Sequence, residues 1–378
     1  MSEVVEICRK LMQFASYNSK VDGVLDFVAE LLQQSGFTTE ICRFTGKNGQ
    51  SVANLYASYG CGEPHLLFVG HVDVVASGDE KLWKYPPFAA EVHDGTVYGR
   101  GVADMKGGVA CFVQACRDFI AGQKFKGKIS IMLSGDEEEP IVNGTKQLLN
   151  EMHKRGEKFN FAIVGEPSNP QNMGDEIKVG RRGDLVLYIT SHGQQGHTAY
   201  ADKSSNPIYN LINLLHMLQN EILDNGNEYF APSVVQVTTI DVGNAATNVV
   251  PEKAQAVVDI RFSSEQTFQS IEEWARQKAQ KVGGKFELKA EYVGEAFLCP
   301  INENVRKLQK IAAKYAGKMP KFSTGGGTSD ARFVKNFCPV VEYGLTNGSI
   351  HKINECEKVS NIEMLCDVYK EFLRQFFA

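Results

Sequence analysis

The 378-residue sequence has no apolar run long enough to cross a bilayer, and its first residues lack the basic and apolar regions of a signal peptide. Its nine cysteines are scattered without a C-x-x-C pair, which excludes the usual spacing of a cysteine zinc site. No basic stripe is present, and the formal net charge is -5. These absences predict a cytoplasmic protein with reduced thiols, no membrane partner and no nucleic-acid partner.

Two glycine-rich segments also fail to match nucleotide-binding motifs. The segment TGGGTSD, residues 324–330, lacks the lysine of a phosphate-binding P-loop. The segment GRGVADMKGG, residues 99–108, departs from G-x-G-x-x-G and does not directly follow a predicted strand. A nucleotide cofactor is therefore not expected.

The sequence does contain an alternation of helical and strand patterns. The apolar segments HLLFVG (65–70), KISIML (128–133) and FAIVG (161–165) predict strands that are covered on both faces, with helices between them. The same alternation returns near the carboxyl end as a helix, the strand CPVVEYG and a last helix. We predict an α/β fold with a mostly parallel sheet, formed by residues 1–180 and 294–378.

The middle of the chain has a different order of elements. Residues 181–293 contain a strand, a helix, two strands, a second helix and a last strand. This β-α-β-β-α-β order is that of a ferredoxin-like domain. We therefore predict a small domain of residues 181–293 inserted into the larger one.

Polar side chains of metal-binding type follow four of the predicted strands. His71 and Asp73 follow the first, the acidic run 136–139 follows the second, Glu166 follows the third, and His351 follows the last. In open α/β sheets, ligands bind beyond the carboxyl ends of the strands. We therefore expect these side chains to converge on one crevice.

Asp104 adds a further carboxylate on a glycine-rich loop. Two histidines with several carboxylates and no cysteine are typical of a hydrolytic zinc site, at which Mn²⁺ or Co²⁺ can substitute. The ligands suffice for two ions that share one bridging carboxylate and activate a water molecule. One of Glu137 and Glu138 would bind metal while the other accepts the water proton, and the residue types alone leave that choice open.

Several motifs together resemble the aminoacylase, acetylornithine deacetylase and carboxypeptidase family of di-zinc amidases. They follow one another along nearly the whole chain as GHVDVV, WKYPPF, YGRGVADMKGG, SGDEEEP, VGEPS, GQQGHTAY, NVVPEKAQAVVDIRF, TGGGTSDARF and IHKINE. Within the family, the strongest likeness is to the desuccinylases, which implies cleavage of N-succinyl-L,L-diaminopimelate for lysine and cell-wall synthesis. Acetylornithine deacetylases, aminoacylases and dipeptidases are the alternatives within the family. A non-catalytic binding protein on the same fold is the alternative from another class, and it would have lost a ligand or the base.

The resemblance implies two Zn²⁺ ions per subunit, with Co²⁺ or Mn²⁺ as possible substitutes. The implied ligands are His71 and Glu166 for one ion, Glu138 and His351 for the other, and Asp104 as the bridge. Glu137 would be the general base, and Asp73 would orient the imidazole of His71. The bridging aspartate of the family precedes a cis peptide bond, here between Asp104 and Met105.

The resemblance also implies that the inserted domain forms a homodimer. His197 would reach the site of the partner subunit and stabilise the oxyanion. The small acyl-amino-acid substrate would contact Arg181, Tyr200, Asn248, Arg261, Gly327 and Thr328. Asp184 stands where the desuccinylases usually have serine, and an acid there would repel an acidic substrate unless it turns away or pairs with an arginine.

Overall fold

The computed structural model describes residues 1–17, 20–200 and 206–378. The chain forms two compact units, of which the first contains Met1–Val179, Cys299–Ser323 and Ser329–Ala378 and the second contains Gly180–Leu298 and Thr324–Thr328. The second unit extends past residue 293 because a short strand pair joins Gly180–Arg181 to Phe297–Leu298.

The described residues contain regular helices and strands, which we number along the chain. The helices are α1 (Glu3–Met12), α2 (Asp22–Gln34), α3 (Gly107–Gly122), α4 (Gly144–Lys154), α5 (Pro207–Asn220), α6 (Phe268–Val282), α7 (Glu303–Ala316), α8 (Ala331–Val334) and α9 (Val359–Phe376). The strands are β1 (Thr38–Thr45), β2 (Ser51–Cys61), β3 (His65–His71), β4 (Glu91–His93), β5 (Thr96–Tyr98), β6 (Gly127–Ser134), β7 (Phe161–Val164), β8 (Glu176–Lys178), β9 (Gly180–Arg181), β10 (Gly183–His192), β11 (Gly196–His197), β12 (Val234–Asp241), β13 (Val249–Val250), β14 (Lys253–Phe262), β15 (Lys285–Gly294), β16 (Phe297–Leu298), β17 (Lys321–Ser323), β18 (Val340–Glu342) and β19 (Cys356–Lys358).

The first unit is built on an eight-stranded sheet in the order β1-β2-β6-β3-β7-β18-β8-β17. Its central strands β6, β3, β7 and β18 are mutually parallel. Strands β1 and β2 add an antiparallel hairpin at one edge. The predicted α/β fold with a mostly parallel sheet is confirmed for this unit.

Helices α3 and α9 pack on this sheet through large apolar side chains. Phe68 of β3 stacks on Phe112 of α3 with 4.1 Å between ring centroids. Tyr369 of α9 meets the same two rings edge-on, at 6.0 and 5.4 Å. All three side chains are buried, and burying each contributes roughly 1.5–3 kcal/mol. This packing fixes β3, which ends at His71, against the helices.

The second unit has an antiparallel four-stranded sheet in the order β12-β14-β10-β15. Along the chain its elements follow as β10, α5, β12, β14, α6 and β15. Alternate side chains of β10 and β14 are buried, as expected for a sheet with one face covered. That face packs on α5 and α6 through side chains such as Leu214, Ile260 and Ile271.

All nine cysteines lie in the described part of the chain and are unpaired. Within residues 1–17, 20–200 and 206–378, no helix combines the length and the apolar character needed to cross a membrane.

Candidate metal centre

Four parallel strands of the first unit deliver the candidate ligands to one edge of the sheet. His71 is the last residue of β3, and Glu166 lies two residues after the end of β7. The acidic run containing Glu137 and Glu138 follows β6, and the loop after β18 carries His351. Because these strands are parallel neighbours, their carboxyl ends lie side by side.

The first group of ligand-type atoms consists of His71, Asp104 and Glu166. His71 Nε2 lies 3.1 Å from Asp104 Oδ1 and 3.6 Å from Glu166 Oε1. All three residues are buried. The three ligand atoms are within 4.8 Å of one another, so one cation could contact all of them.

The second group shares Asp104 with the first and adds Glu138 and His351. His351 Nε2 lies 3.3 Å from Asp104 Oδ2 and 3.0 Å from Glu138 Oε1. The two oxygens of Asp104 therefore face different histidines, Oδ1 towards His71 and Oδ2 towards His351. This is the arrangement that a carboxylate bridging two cations requires.

The donor set fits a pair of divalent cations. Ligand atoms bound at about 2 Å around a tetrahedral ion are separated by roughly 3.3 Å, and the observed separations of 3.0 to 3.6 Å are close to that value. Imidazole nitrogens mixed with carboxylate oxygens suit zinc, cobalt and manganese better than calcium or magnesium.

The pKa values of the two histidines indicate how strongly this cluster attracts positive charge. Hydrogen bonds to Asp104 and Glu138 raise the pKa of His351 to about 10. Burial alone would lower the pKa of His71, but hydrogen bonds with Asp104 and Asp73 outweigh it and raise that pKa well above its ordinary value. Bound cations would replace these protons.

Glu137 is partly buried and lies beside both groups. Burial raises the pKa of Glu137 well above its ordinary value. His71 opposes that shift, whereas the carboxylates of Asp330, Glu138 and Asp104 add to it. A carboxylate in this position is suited to exchange a proton.

Asp73 supports the centre through two different groups. Its backbone carbonyl lies 3.0 Å from His71 Nδ1, whereas its carboxylate Oδ1 lies 3.5 Å from the same nitrogen. The other carboxylate oxygen accepts a hydrogen bond from the backbone N–H of Glu138 at 2.9 Å. Asp73 therefore contacts one ligand histidine and also holds the loop of another ligand.

The backbone at Asp104 and His351 departs from regular structure. The peptide bond between Asp104 and Met105 is cis, as the resemblance implied. His351 has a φ of +59°, in the left-handed region that non-glycine residues seldom occupy. The side chain of each residue is thus directed by an irregular segment and not by a helix or a strand.

Two supporting acids were not assigned a role from the sequence. Asp136 accepts hydrogen bonds from the backbone N–H groups of Ile141, Val142 and Gly144, which shapes the loop after the acidic run. Glu355 accepts hydrogen bonds around Asp104. Both belong to motifs that resemble the family, SGDEEEP and IHKINE. Their burial distinguishes them from solvated acids, and burial is not visible in the sequence.

The other predicted residues belong to the second unit and are not members of the two metal-binding groups. His197 is exposed on β11 and pairs with Val249 of β13. Tyr200 is 90% exposed, and its ring centroid lies 5.7 Å from that of His197. The backbone carbonyl of Asn248 accepts a hydrogen bond from Thr198 at 3.0 Å. The structure thus brings His197, Tyr200 and Asn248 to one region of the second unit.

Arg181 is buried near the glycine-rich loop that contains Gly327 and Thr328. Its Nη1 donates to the carbonyl of Gly327 at 2.9 Å and to that of Gly325 at 3.4 Å. Thr324 of the same loop donates its hydroxyl to the carbonyl of Tyr229 at 2.6 Å. Arg181 therefore fixes the backbone of the loop predicted to contact the substrate.

Asp184 pairs with an arginine, so its negative charge need not repel an acidic substrate. Its Oδ2 lies 2.7 Å from Arg261 Nη1. Asp259 holds the same guanidinium through Nε and Nη2, at 2.9 and 3.0 Å. These contacts use three of the five N–H donors of Arg261, so the charge of Asp184 is offset.

Comparisons with known proteins agree with this geometry. Residues 67–375 match the profile of peptidase family M20/M25/M40. A protein of Ehrlichia canis named succinyl-diaminopimelate desuccinylase is 41% identical over 374 residues, which cover 99% of this chain and 98% of that relative.

Solved structures show the same fold at lower identity. A metallo-carboxypeptidase of the M20 family from Sulfolobus solfataricus superimposes with a TM-score of 0.80 at 18% identity, covering 100% of this chain and 99% of the other. A dinuclear metal-binding peptidase of that family from Bacillus subtilis gives a TM-score of 0.72 at 14% identity, covering 99% and 96%. The profile match and the 41% identity carry the assignment: the chain belongs to peptidase family M20/M25/M40.

Proposed function

We propose that this chain is a two-metal amide hydrolase that cleaves N-succinyl-L,L-diaminopimelate to succinate and L,L-diaminopimelate. The observation that carries the proposal is the pair of ligand groups joined by Asp104, with Glu137 beside both. The proposed substrate is the one that the name of the Ehrlichia canis protein implies. That protein is 41% identical to this chain over 99% of this chain's length.

The proposed metal is Zn²⁺, with Co²⁺ or Mn²⁺ as substitutes. His71 and Glu166 would bind one ion, Glu138 and His351 would bind the other, and Asp104 would bind both. When present, two such ions polarise the amide carbonyl and increase the acidity of a water molecule.

Glu137 is the proposed general base. Its carboxylate takes a proton from the attacking water as the C–O bond forms, and the carbonyl oxygen becomes an oxyanion. Glu137 then returns the proton to the nitrogen, and the C–N bond breaks as the carbonyl is restored. Asp73 keeps His71 in one orientation through the contact at Nδ1, which leaves Nε2 directed at Asp104 and Glu166. The chain's own part in the reaction is thus proton transfer and the positioning of ligands.

The second unit supplies the proposed contacts to the substrate. His197 stabilises the oxyanion in the site of a partner subunit, and its exposure is compatible with that role. The substrate carries three carboxylates, which suit arginine donors. The proposed contacts are Arg181, Tyr200, Asn248, Arg261, Gly327 and Thr328.

The proposed assembly is a homodimer through the second unit. Strand β12 is at an edge of its sheet. Ile240 on β12 is 59% exposed, and Tyr209 and Ile212 on α5 are 51% and 53% exposed. Apolar side chains on an uncovered edge strand and helix are the features that an isologous interface would bury. Sedimentation equilibrium of the purified protein tests this state, and a monomer at micromolar concentration would reject it.

A substrate panel tests the proposed reaction. The zinc-loaded protein is assayed on N-succinyl-L,L-diaminopimelate, N-acetylornithine and a dipeptide, with kcat/KM measured for each. We expect the succinyl substrate to be preferred by at least about tenfold, equivalent to 1.4 kcal/mol of transition-state binding. Glu137→Gln serves as the background control.

The other outcomes of this panel are equally decisive. Preference for N-acetylornithine or for the dipeptide would reject the desuccinylase assignment while retaining the amide hydrolase. If no substrate is hydrolysed although two ions are bound, the catalytic proposal is wrong and a binding protein on this fold is the better description.

A further inference from the structure

Glu355 is a buried acid that joins the loop of Asp104 to the loop of His351. Its side chain is fully buried. Oε1 accepts hydrogen bonds from the backbone N–H groups of Gly101, Ala103 and Asp104 at 3.1, 3.0 and 3.3 Å. One carboxylate oxygen therefore gathers three N–H groups of the segment that carries the shared ligand.

The second oxygen of Glu355 is held by an arginine that is buried as well. Arg100 Nη1 donates to Oε2 at 2.7 Å, and Nη2 donates to the carbonyl of Ala76 at 3.3 Å. The guanidinium lies over the ring of Trp83, 5.3 Å from its centroid. The backbone N–H of Gly99 also donates to the carbonyl of Glu355 at 2.9 Å. The carboxylate is thus fixed from several directions.

Both of the joined segments have irregular backbones that depend on such contacts. Gly101 has a φ of +86°, and Asp104, with φ -124° and ψ 99°, is non-helical, as is Met105 after it. His351 and Asn354 have φ values of +59° and +63°. A buried N–H group that loses its acceptor raises the free energy of the conformation in which it is buried. Without Glu355, the three N–H groups near Asp104 would lose their shared partner.

We propose that Glu355 is a positioning residue for the metal pair. It holds Asp104 and His351 at the separation at which Asp104 Oδ2 and His351 Nε2, 3.3 Å apart, bind the same ion. Glu355 itself contacts neither ion. This inference rests on the proposed function, because it requires two ions at the centre.

The test substitutes Glu355→Gln, which keeps the shape of the side chain but removes the negative charge that faces Arg100. The matched control is Glu357→Gln. Glu357 is buried in β19, two residues after Glu355, and accepts hydrogen bonds from Thr346 and Asn361. Metal-free proteins are titrated with Co²⁺, and the visible absorption bands report both the affinity and the geometry of each bound ion.

We expect Glu355→Gln to bind one of the two Co²⁺ ions at least about tenfold more weakly and with altered absorption bands, as is usual when a residue that orients metal ligands is lost. Glu357→Gln is expected to keep the affinities and the bands of the unsubstituted protein. Unchanged binding by Glu355→Gln would overturn the inference, because a role confined to folding leaves the absorption bands of the folded protein unaltered.

A second variant covers the case in which Glu355→Gln does not fold. Arg100→Lys keeps the positive charge but removes the fork that joins Glu355 to Ala76, and we expect it to weaken Co²⁺ binding several-fold. Native affinity and bands in this variant would also reject the inference. Should the unsubstituted protein fail to bind two Co²⁺ ions, the proposed function is wrong as well, whereas normal binding with unaffected variants rejects the role of Glu355 alone.

Discussion

At the scale of single residues, neighbouring acids of this protein have different roles because their surroundings differ. Asp136 accepts three backbone N–H groups and shapes a loop. Glu138, two residues later, faces His351 and Asp104. Glu137 lies between them, beside His71 and several carboxylates. The acidic run after β6 therefore combines a structural acid, a proposed base and a proposed ligand in consecutive positions.

The substitution Glu137→Gln tests the assignment of the base. We expect kcat to fall by roughly 10²–10⁴-fold, because glutamine cannot accept the water proton. Metal content, measured by atomic emission, should remain at two ions per chain. The matched control is Glu139→Gln, since Glu139 is an exposed acid in the same run, and it should leave kcat within about twofold. Equal turnover of the Glu137→Gln protein would refute the assignment.

His65 provides a pH-dependent contribution to stability that is separate from the metal centre. Burial, with a smaller contribution from the charge of Lys128, lowers the pKa of His65 from 6.5 to about 4. The neutral ring is held by Ser130 Oγ at 2.8 Å and by the carbonyl of Lys158 at 2.9 Å. Above pH 6.5 the ring is neutral in both states and contributes no pH dependence. As the pH falls from 6.5 to 4, the unfolded chain binds the proton and the folded chain does not, so stability is lost.

This loss is expected to reach about 3 kcal/mol at pH 4, from a pKa shift of roughly 2.5 units. His65→Gln removes the titrating group while retaining polar atoms. Urea unfolding is measured for the metal-free unsubstituted protein and the metal-free His65→Gln variant between pH 4 and 7. As the pH falls, the unsubstituted protein should lose its advantage in unfolding free energy over the variant. A difference that stays constant over that range would contradict the neutral buried ring.

Residue types at strand ends predicted that His71, Glu166, His351 and the acidic run 136–139 converge, whereas the resemblance implied the choice of Glu138 and the two ligand groups. The sequence does not determine whether Asp184 turns away from a substrate or pairs with an arginine. The register of β10 against β14 places Asp184 directly opposite Arg261, and Asp259 is on the same face, two residues away. A register is set by tertiary packing, so the partner of Asp184 could not be read from sequence spacing.

At the scale of elements, the start of α3 is fixed by a close approach to the end of β7. A Cβ atom on Gly108 would lie 2.5 Å from the carbonyl oxygen of Gly165. Because that oxygen belongs to the backbone, neither partner could adjust without moving a helix or a strand. This contact brings the segment of Asp104, which precedes α3, close to Glu166, two residues after the end of β7.

Gly108→Ala should therefore destabilise the protein by about 1–3 kcal/mol, the usual range for overpacking a buried site. Gly122→Ala in the same helix is the control, because its Cβ would meet no atom within 4 Å. That change should be neutral or stabilising by up to about 1 kcal/mol through reduced backbone entropy of the unfolded chain. Thermal unfolding compares the two, and equal midpoints would show that the contact at Gly108 does not constrain α3.

Long buried strands and amphipathic helices were the elements that the sequence predicted well. Strands β3, β6 and β7 begin and end within about a residue of their predicted limits, because each is a continuous apolar segment covered on both faces. The hairpin of β1 and β2 was missed, as were the three-residue strands β4, β5 and β19. Strands β4 and β5 form a hairpin around Asp94-Gly95, a local signal that sequence reasoning overlooked. Strand β19 pairs with β5 from a segment distant in sequence, so no local pattern indicates it.

At the scale of the whole molecule, the chain returns to its first unit after an insertion. Strands β9 and β16 pair at the two ends of that insertion. All proposed metal ligands and the proposed base belong to the first unit, whereas His197 and the proposed substrate contacts belong to the second. The proposed activity thus depends on both units, and in the case of His197 on a second copy of the chain.

Subunit complementation tests that dependence. In a homodimer where His197 serves the opposite site, Glu137→Gln and His197→Ala proteins are each inactive, but a hybrid dimer has one intact site, with Glu137 from one subunit and the partner's His197. Random reassociation of equal amounts makes half of the dimers hybrids, so we expect about one quarter of the unsubstituted activity to return. The mixture is denatured, refolded with zinc and assayed beside each variant refolded alone. If His197 served its own subunit's site, every site in the mixture would lack either the base or the histidine, and no activity would be recovered.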